Sequence, residues 1–161
     1  MNWLQIVLRF VHVVSGATWV GMMALATFFV APALGDVGPD GGKVMAALQK
    51  RGMMTVIPVF ALLTLVSGFW LFLRFTNGQP GVMRSATGMA FGLGGLAALI
   101  AFVIGIVYVR PAMMKAAAMA QDPKGNKEEA ARIRDRGNAV SVWVARLLFF
   151  ALGAMAVARY L

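Results

Sequence analysis

The chain has no cysteine, one histidine and only six acidic residues among its 161. Without cysteine there are no disulfides, thiolate metal sites, iron–sulfur clusters or cysteine nucleophiles. One histidine rules out a bis-histidine site built within a single chain. Charged residues make up 13% of the sequence, against about 25% in a soluble globular domain. The long apolar runs described below contain no Asp, Glu or Lys. They offer no carboxylate pair and no nucleophile–base pair, so no catalytic residue is assigned, and any redox chemistry has to come from a bound cofactor.

What the chain has in quantity is apolar surface: 60% hydrophobic residues and a mean hydropathy of +0.77. Four runs, at 4–34, 53–75, 88–108 (with room to run on to 120) and 140–160, reach the roughly 20 residues that a helix needs to cross a bilayer. The expected architecture is all-α, an integral membrane four-helix bundle forming a single domain over 1–161. Four crossings put the N- and C-termini on the same side. Ten Lys and Arg belong to the first and third loops, against Arg74, Arg84 and Arg159 near the opposite side. That bias predicts cytoplasmic loops and periplasmic termini in a bacterial inner membrane. The net charge of +9 is therefore read as orientation, and nucleic acid is not an expected partner. The first run is longer than the ~7–15 residues of a signal-peptide core and has no Lys or Arg before Arg9, so the first helix is expected to stay in the chain.

Between the runs, residues 35–42 (GDVGPDGG) carry turn chemistry, and residues 43–52 read as a short basic helix leading into the second crossing. Pro32 and Gly35 are expected to stop the first helix, and Pro111 to kink or end the membrane part of the third. Pro58 lies one turn inside the second crossing, where it frees a backbone carbonyl. The segment 76–85 reads as a turn-rich loop. The third run is the most glycine-dense, and Gly88 with Gly92 forms a small-xxx-small pair suited to close approach of a neighbouring helix or flat cofactor. The basic segment 121–138 opens with the turn Asp122-Pro123-Lys124-Gly125. Asn126 and Glu129 then resemble a capping box that starts helix near Lys127.

The first run holds the histidine. On a 3.6-residue period Gln5, Arg9, His12, Gly16, Trp19 and Met23 share one face. Ionisable groups in a spanning helix are costly and normally face a bundle interior, which makes this stripe a functional-site hypothesis. His12 lies about 12 Å into the bilayer at 1.5 Å per residue, and a neutral imidazole there suits haem iron or copper. The alternative is a histidine satisfied by a backbone carbonyl or a Ser or Thr of a neighbouring helix. Arg9 and Arg146 lie within crossings with no carboxylate to pair with, and haem propionates would suit them. Snorkelling to the headgroups is the alternative there. Met22-Met23, Met53-Met54 and Met113-Met114 fall in the cytoplasmic half, as a soft-ligand path for Cu(I) or as ordinary packing.

The stretch Leu8-Arg9-Phe10-Val11-His12, continuing through Gly16 to Trp19-Val20-Gly21, resembles the opening of a group of small bacterial membrane families. These are the copper-resistance D family, the membrane-type protoporphyrinogen oxidase family and the membrane domain of membrane-bound urate oxidases. Gln49-Lys50-Arg51-Gly52-Met53, with Pro58 and Ser67-Gly68-Phe69-Trp70-Leu71, looks like the second-helix entry of the oxidase group. The resemblance covers roughly residues 4–75 and implies a four- or five-helix bundle in which His12 is a ligand to haem b or copper. The oxidase family's Arg after the tryptophan motif and its Lys in the third helix have no counterpart in residues 29–34 and 87–108, so its activity is not carried over.

The resulting expectation is a membrane protein holding haem b or a related redox ligand through His12, with Arg9, Arg146 and Trp19 around it, serving electron transfer. With one histidine per chain, ligation would be His/Met, five-coordinate, or shared with a second copy. Copper uptake or resistance using His12, Met22 and Met23 is the second reading. A non-catalytic membrane subunit that docks a partner is the third. The lipid bilayer is the one partner common to all three, and a redox partner or a second copy belongs to the first.

Overall fold

The computed structural model describes residues 2–38, 41–122 and 124–161. Those residues are almost entirely helical and include no strand. In chain order they form α1 (Trp3–Leu25), a π turn (Ala26–Val30), α2 (Ala31–Asp36), α3 (Gly41–Lys50), α4 (Met53–Thr76) and α5 (Pro80–Met83). There follow α6 (Ala86–Ile104), a second π turn (Gly105–Val109), α7 (Arg110–Gln121) and α8 (Lys127–Ala158). Four rods result, Trp3–Asp36, Met53–Thr76, Ala86–Gln121 and Lys127–Ala158, each long and apolar enough to cross a membrane. This is the architecture of a multi-pass membrane protein.

Prolines do not end the rods where their sequence position suggests. The first helix runs past Pro32 to Asp36, and the third runs past Pro111 to Gln121. Each proline is the second residue of a new α-segment, and a π turn stands directly before it. Proline lacks an N–H, and its ring collides with the carbonyl four residues back. Widening the preceding turn to i→i+5 bonding moves that carbonyl aside: the N–H of Ala31 reaches Ala26 O and the N–H of Arg110 reaches Gly105 O. Pro58 uses another device. The carbonyl it leaves without a helical donor is that of Met54, and Arg110 Nε donates to it at 3.1 Å, tying the third rod to the start of the second.

Other boundaries move for local reasons. Helix α3 begins at Gly41, inside the stretch read as a turn, and a Cβ at Gly41 would strike the Leu34 carbonyl, so the close return of the chain requires glycine there. Pro39 and Asp40 of that stretch lie outside the described residues. The segment 76–85 contains the one-turn helix α5. In the loop before α8, Lys124 N donates to Asp122 Oδ1 at 2.9 Å and Gly125 N to Asp122 O at 2.9 Å, while Pro123 lies outside the described residues. Helix α8 starts at Lys127 and passes Gly137 without a break, and it ends at Ala158 rather than at Tyr160.

Asn126 caps α8, its Oδ1 accepting from Glu129 N at 3.0 Å. Replacing it with Ala leaves a first-turn N–H unpaired and should weaken that turn by about 1 kcal/mol. The expected result is faster hydrogen exchange confined to the amides of the first turn of α8, with the membrane part unchanged.

The core is built from small side chains. Ala61, Ala97, Ala98, Ala101, Ala145 and Ala151 are buried, whereas large apolar side chains such as Phe10, Phe29, Val107 and Trp143 point outward. Such an inside-out distribution suits lipid, where helices associate by close packing rather than by the hydrophobic effect. The close approach of α6 to α8 occurs at Gly94: a Cβ there would lie 3.2 Å from Ala151 O and 3.3 Å from Ala154 Cβ. Gly88 and Gly92 do not serve this contact. Gly88 makes room for the Val82 and Met83 carbonyls of its own preceding turn, and a Cβ at Gly92 would meet only the edge of Phe72 at 3.9 Å.

Candidate functional site

His12 sits in the seam between α1 and α4, partly buried. Its Nδ1 is 2.9 Å from the carbonyl oxygen of Thr64 and 3.3 Å from Ser67 Oγ. A carbonyl oxygen only accepts, so Nδ1 carries a proton, and in the neutral ring Nε2 holds the lone pair. Among the described residues no hydrogen-bond partner meets Nε2.

The ring is seated on Gly68. A Cβ at that position would lie 2.6 Å from His12 Cε1, 3.0 Å from Nδ1 and 3.6 Å from Nε2. Only a residue without a side chain lets the imidazole lie this close to the α4 backbone. Hydroxyls continue the seam below it. Thr64 Oγ1 is 3.0 Å from Ser15 Oγ and 2.7 Å from Phe60 O, and Ser15 and Ser67 each donate to the carbonyl four residues back on their own helix. In a medium without water these short side chains keep the hydroxyls of the seam and His12 Nδ1 paired.

The sequence-level candidates do not gather around His12. Arg9 is exposed, one turn towards the N-terminus. Arg146 is also exposed, its guanidinium 4.7 Å from the centroid of the Trp143 ring on the same helix. Long cationic side chains turned outward in this way can reach headgroup level. Trp19 is 3% exposed, packed edge-on against Phe102 with centroids 6.5 Å apart, and lies seven residues further along α1. The buried stripe of α1 is Ser15, Trp19 and Met23, continuing to Thr27 in the π turn. Relative to the predicted face it is rotated away from Arg9.

Trp19 and Met23 belong to a second feature, a cleft of about 100 Å³ between the four rods, which His12 does not line. Met45, Met53, Met54 and Met113 line it with Met23, while Met22 and Met114 do not. Both π turns and Pro58 border it. Among the described residues no group of three or more His, Cys, Asp or Glu is placed to hold a metal ion.

Sequence reading anticipated a backbone carbonyl or a Ser or Thr of a neighbouring helix beside His12, and missed which residues supply them. Thr64, Ser67 and Gly68 form a T-x-x-S-G pattern on one face of the second crossing. Two small hydroxyl residues one turn apart beside a glycine, in an otherwise large apolar run, are the signal that could have found them.

No protein-family model, no curated protein and no solved structure matches this chain.

Proposed function

We propose that the protein binds haem b through Nε2 of His12 and serves electron transfer in a bacterial inner membrane, with both termini periplasmic. The observation that carries this reading is the hydrogen bond from Nδ1 to the Thr64 carbonyl. Iron-ligating histidines normally give their other ring N–H to a carbonyl or carboxylate, which fixes the tautomer and raises ligand basicity. The structural bond and the ligand role use different nitrogens of one ring, so the two readings of His12 are compatible.

Haem would supply reversible one-electron chemistry. The chain's part is to hold the imidazole in one orientation, through Thr64 and the Gly68 seat, and to exclude water with the surrounding apolar helices. Arg9, nearer the outer headgroups, would pair with a propionate. Because no second histidine exists, any further protein ligand would be a thioether or would come from a second copy. The ten-to-three distribution of basic residues supports the orientation.

The test is the absorption spectrum and metal content of protein extracted from its native membrane in mild detergent. A Soret band with about one haem per chain or per pair of chains, lost in His12→Ala, is the expected result. A colourless protein carrying stoichiometric copper that His12→Ala removes would replace this reading with copper handling. Neither haem nor copper in the native extract would leave a structural membrane subunit.

A further inference from the structure

We propose that the methionine-lined cleft is a binding site for a single-chain amphiphile with an anionic oxygen head, its tail between the rods and its head at the rim. The inner end is walled by Trp19, Ala61, Ala101 and Val144, and the outer end reaches Met53 and Asn138. Trp19 to Ala31 on the first rod spans twelve residues, so the cleft extends about 18 Å along the bundle at 1.5 Å per residue. It is long, narrow and apolar. Thioether side chains are unbranched and polarisable, so five of them make a wall that adapts to a flexible chain.

The head is assigned by what waits at the rim. Thr27 lines both the cleft and an adjoining recess that also contains Arg134, Asp135 and Asn138. Thr27 is 8% exposed, and its Oγ1 is buried with no hydrogen-bond partner. A threonine in a regular helix returns its hydroxyl to a carbonyl three or four residues back; this one lies in a π turn and makes no such bond. The donors at the rim are Thr27, the Asn138 amide and Arg134, and the one carboxylate, Asp135, already contacts Arg134 Nε at 3.3 Å. Such a set calls for an acceptor, a carboxylate or a phosphate. The source is either a free long-chain acid or a lysophospholipid. This site is separate from His12, and its success or failure leaves the haem proposal untouched.

The probe is stearate spin-labelled near its chain end, added to the full chain in phosphatidylcholine nanodiscs. Trp3, Trp70 and Trp143 are exposed and are replaced by Phe, so that the remaining fluorescence comes from Trp19. The expected result is saturable quenching beyond that given by spin-labelled phosphatidylcholine. Thr27→Val, nearly isosteric, should raise the half-saturating concentration about tenfold, the value of one hydrogen bond to a charged group. Ala101→Phe should abolish the saturable part, and Thr27→Val keeps the test decisive if that larger residue disturbs folding. Saturation by spin-labelled lysophosphatidate but not by stearate supports the site and names a lipid source. Quenching that never saturates, or that neither variant changes, overturns the proposal. So does equal affinity for a spin-labelled fatty alcohol, or retention of one Cu(I) that Met53→Leu removes while stearate has no effect.

Discussion

Gly68→Ala should expel the His12 imidazole from its seat. The added methyl would stand 2.6 Å from Cε1 and 3.0 Å from Nδ1, well inside van der Waals contact. Either the ring rotates away or α1 and α4 separate. Rotation is the cheaper response, because moving the rods apart would also break the Ser15–Thr64 contact at 3.0 Å. Losing the Nδ1–H···O=C bond in a water-free seam, together with the steric misfit, should cost about 1–3 kcal/mol. The larger consequence is for the site. On the proposed haem reading, an imidazole no longer oriented by Thr64 should no longer hold the iron, so haem content should fall nearly as far as in His12→Ala although the protein still folds. Ser67→Ala makes the control. It removes a neighbour at 3.3 Å but leaves the Thr64 bond, and should keep most of the cofactor. Thermal melting in detergent and the absorption spectrum, taken together on the three variants, separate a lost ligand from a lost fold.

Gly94→Leu is expected to be the most destabilising single change in the membrane part. At that point α6 rests on the α8 backbone, with Ala151 O at 3.2 Å and Ala154 Cβ at 3.3 Å from where a Cβ would go. Backbone cannot swing aside as a side chain can, so the two rods must part and their alanine interface opens. Overpacking of this kind costs about 1–3 kcal/mol and more where backbone is struck. Here the loss should sit at the upper end, since close packing rather than the hydrophobic effect holds helices together in lipid. The adjacent Gly95 has nothing within 4 Å of its would-be Cβ. Gly95→Leu should melt within a degree or two of the parent, and Gly94→Leu should unfold or aggregate on extraction.

Much of this architecture was legible because a bilayer imposes a simple rule. Twenty apolar residues without an acidic side chain have few other options, and the four rods lie where hydropathy puts them. Pro58 was legible too, since a missing N–H necessarily orphans a carbonyl; that Arg110 would satisfy it depends on a residue 56 positions from that carbonyl and was not. The first rod passes its expected stop at Pro32, and the third takes the longer of its two expected courses past Pro111, because a π turn relieves the proline clash, and no residue type marks a π turn. The Gly88–Gly92 pair looked like the close helix contact from spacing alone. Gly94 holds that place, because which glycine faces a neighbour depends on helix rotation.

The site divides in the same way. His12 was conspicuous as the one histidine, placed within a crossing. Its orientation comes from a backbone carbonyl, which carries no sequence signature, and from Gly68, one glycine among eighteen. Trp19, Met23 and His12 share a predicted face, yet a helix that buries Ser15 and Thr27 turns Arg9 outward and puts Trp19 in a different cavity. The methionines came together partly as their pairing suggested, with Met45 of α3 added and Met22 left outside the cleft.

The account turns on Nε2 of His12 as a ligand. Its most direct test is His12→Gly, extracted from its native membrane and titrated with haem in the presence and absence of free imidazole. The account predicts no Soret band without imidazole, and restoration of the parent spectrum with it, because the small molecule can take up the vacated place between Thr64 and the iron. A His12→Gly protein that keeps haem at the parent's stoichiometry without imidazole would contradict it.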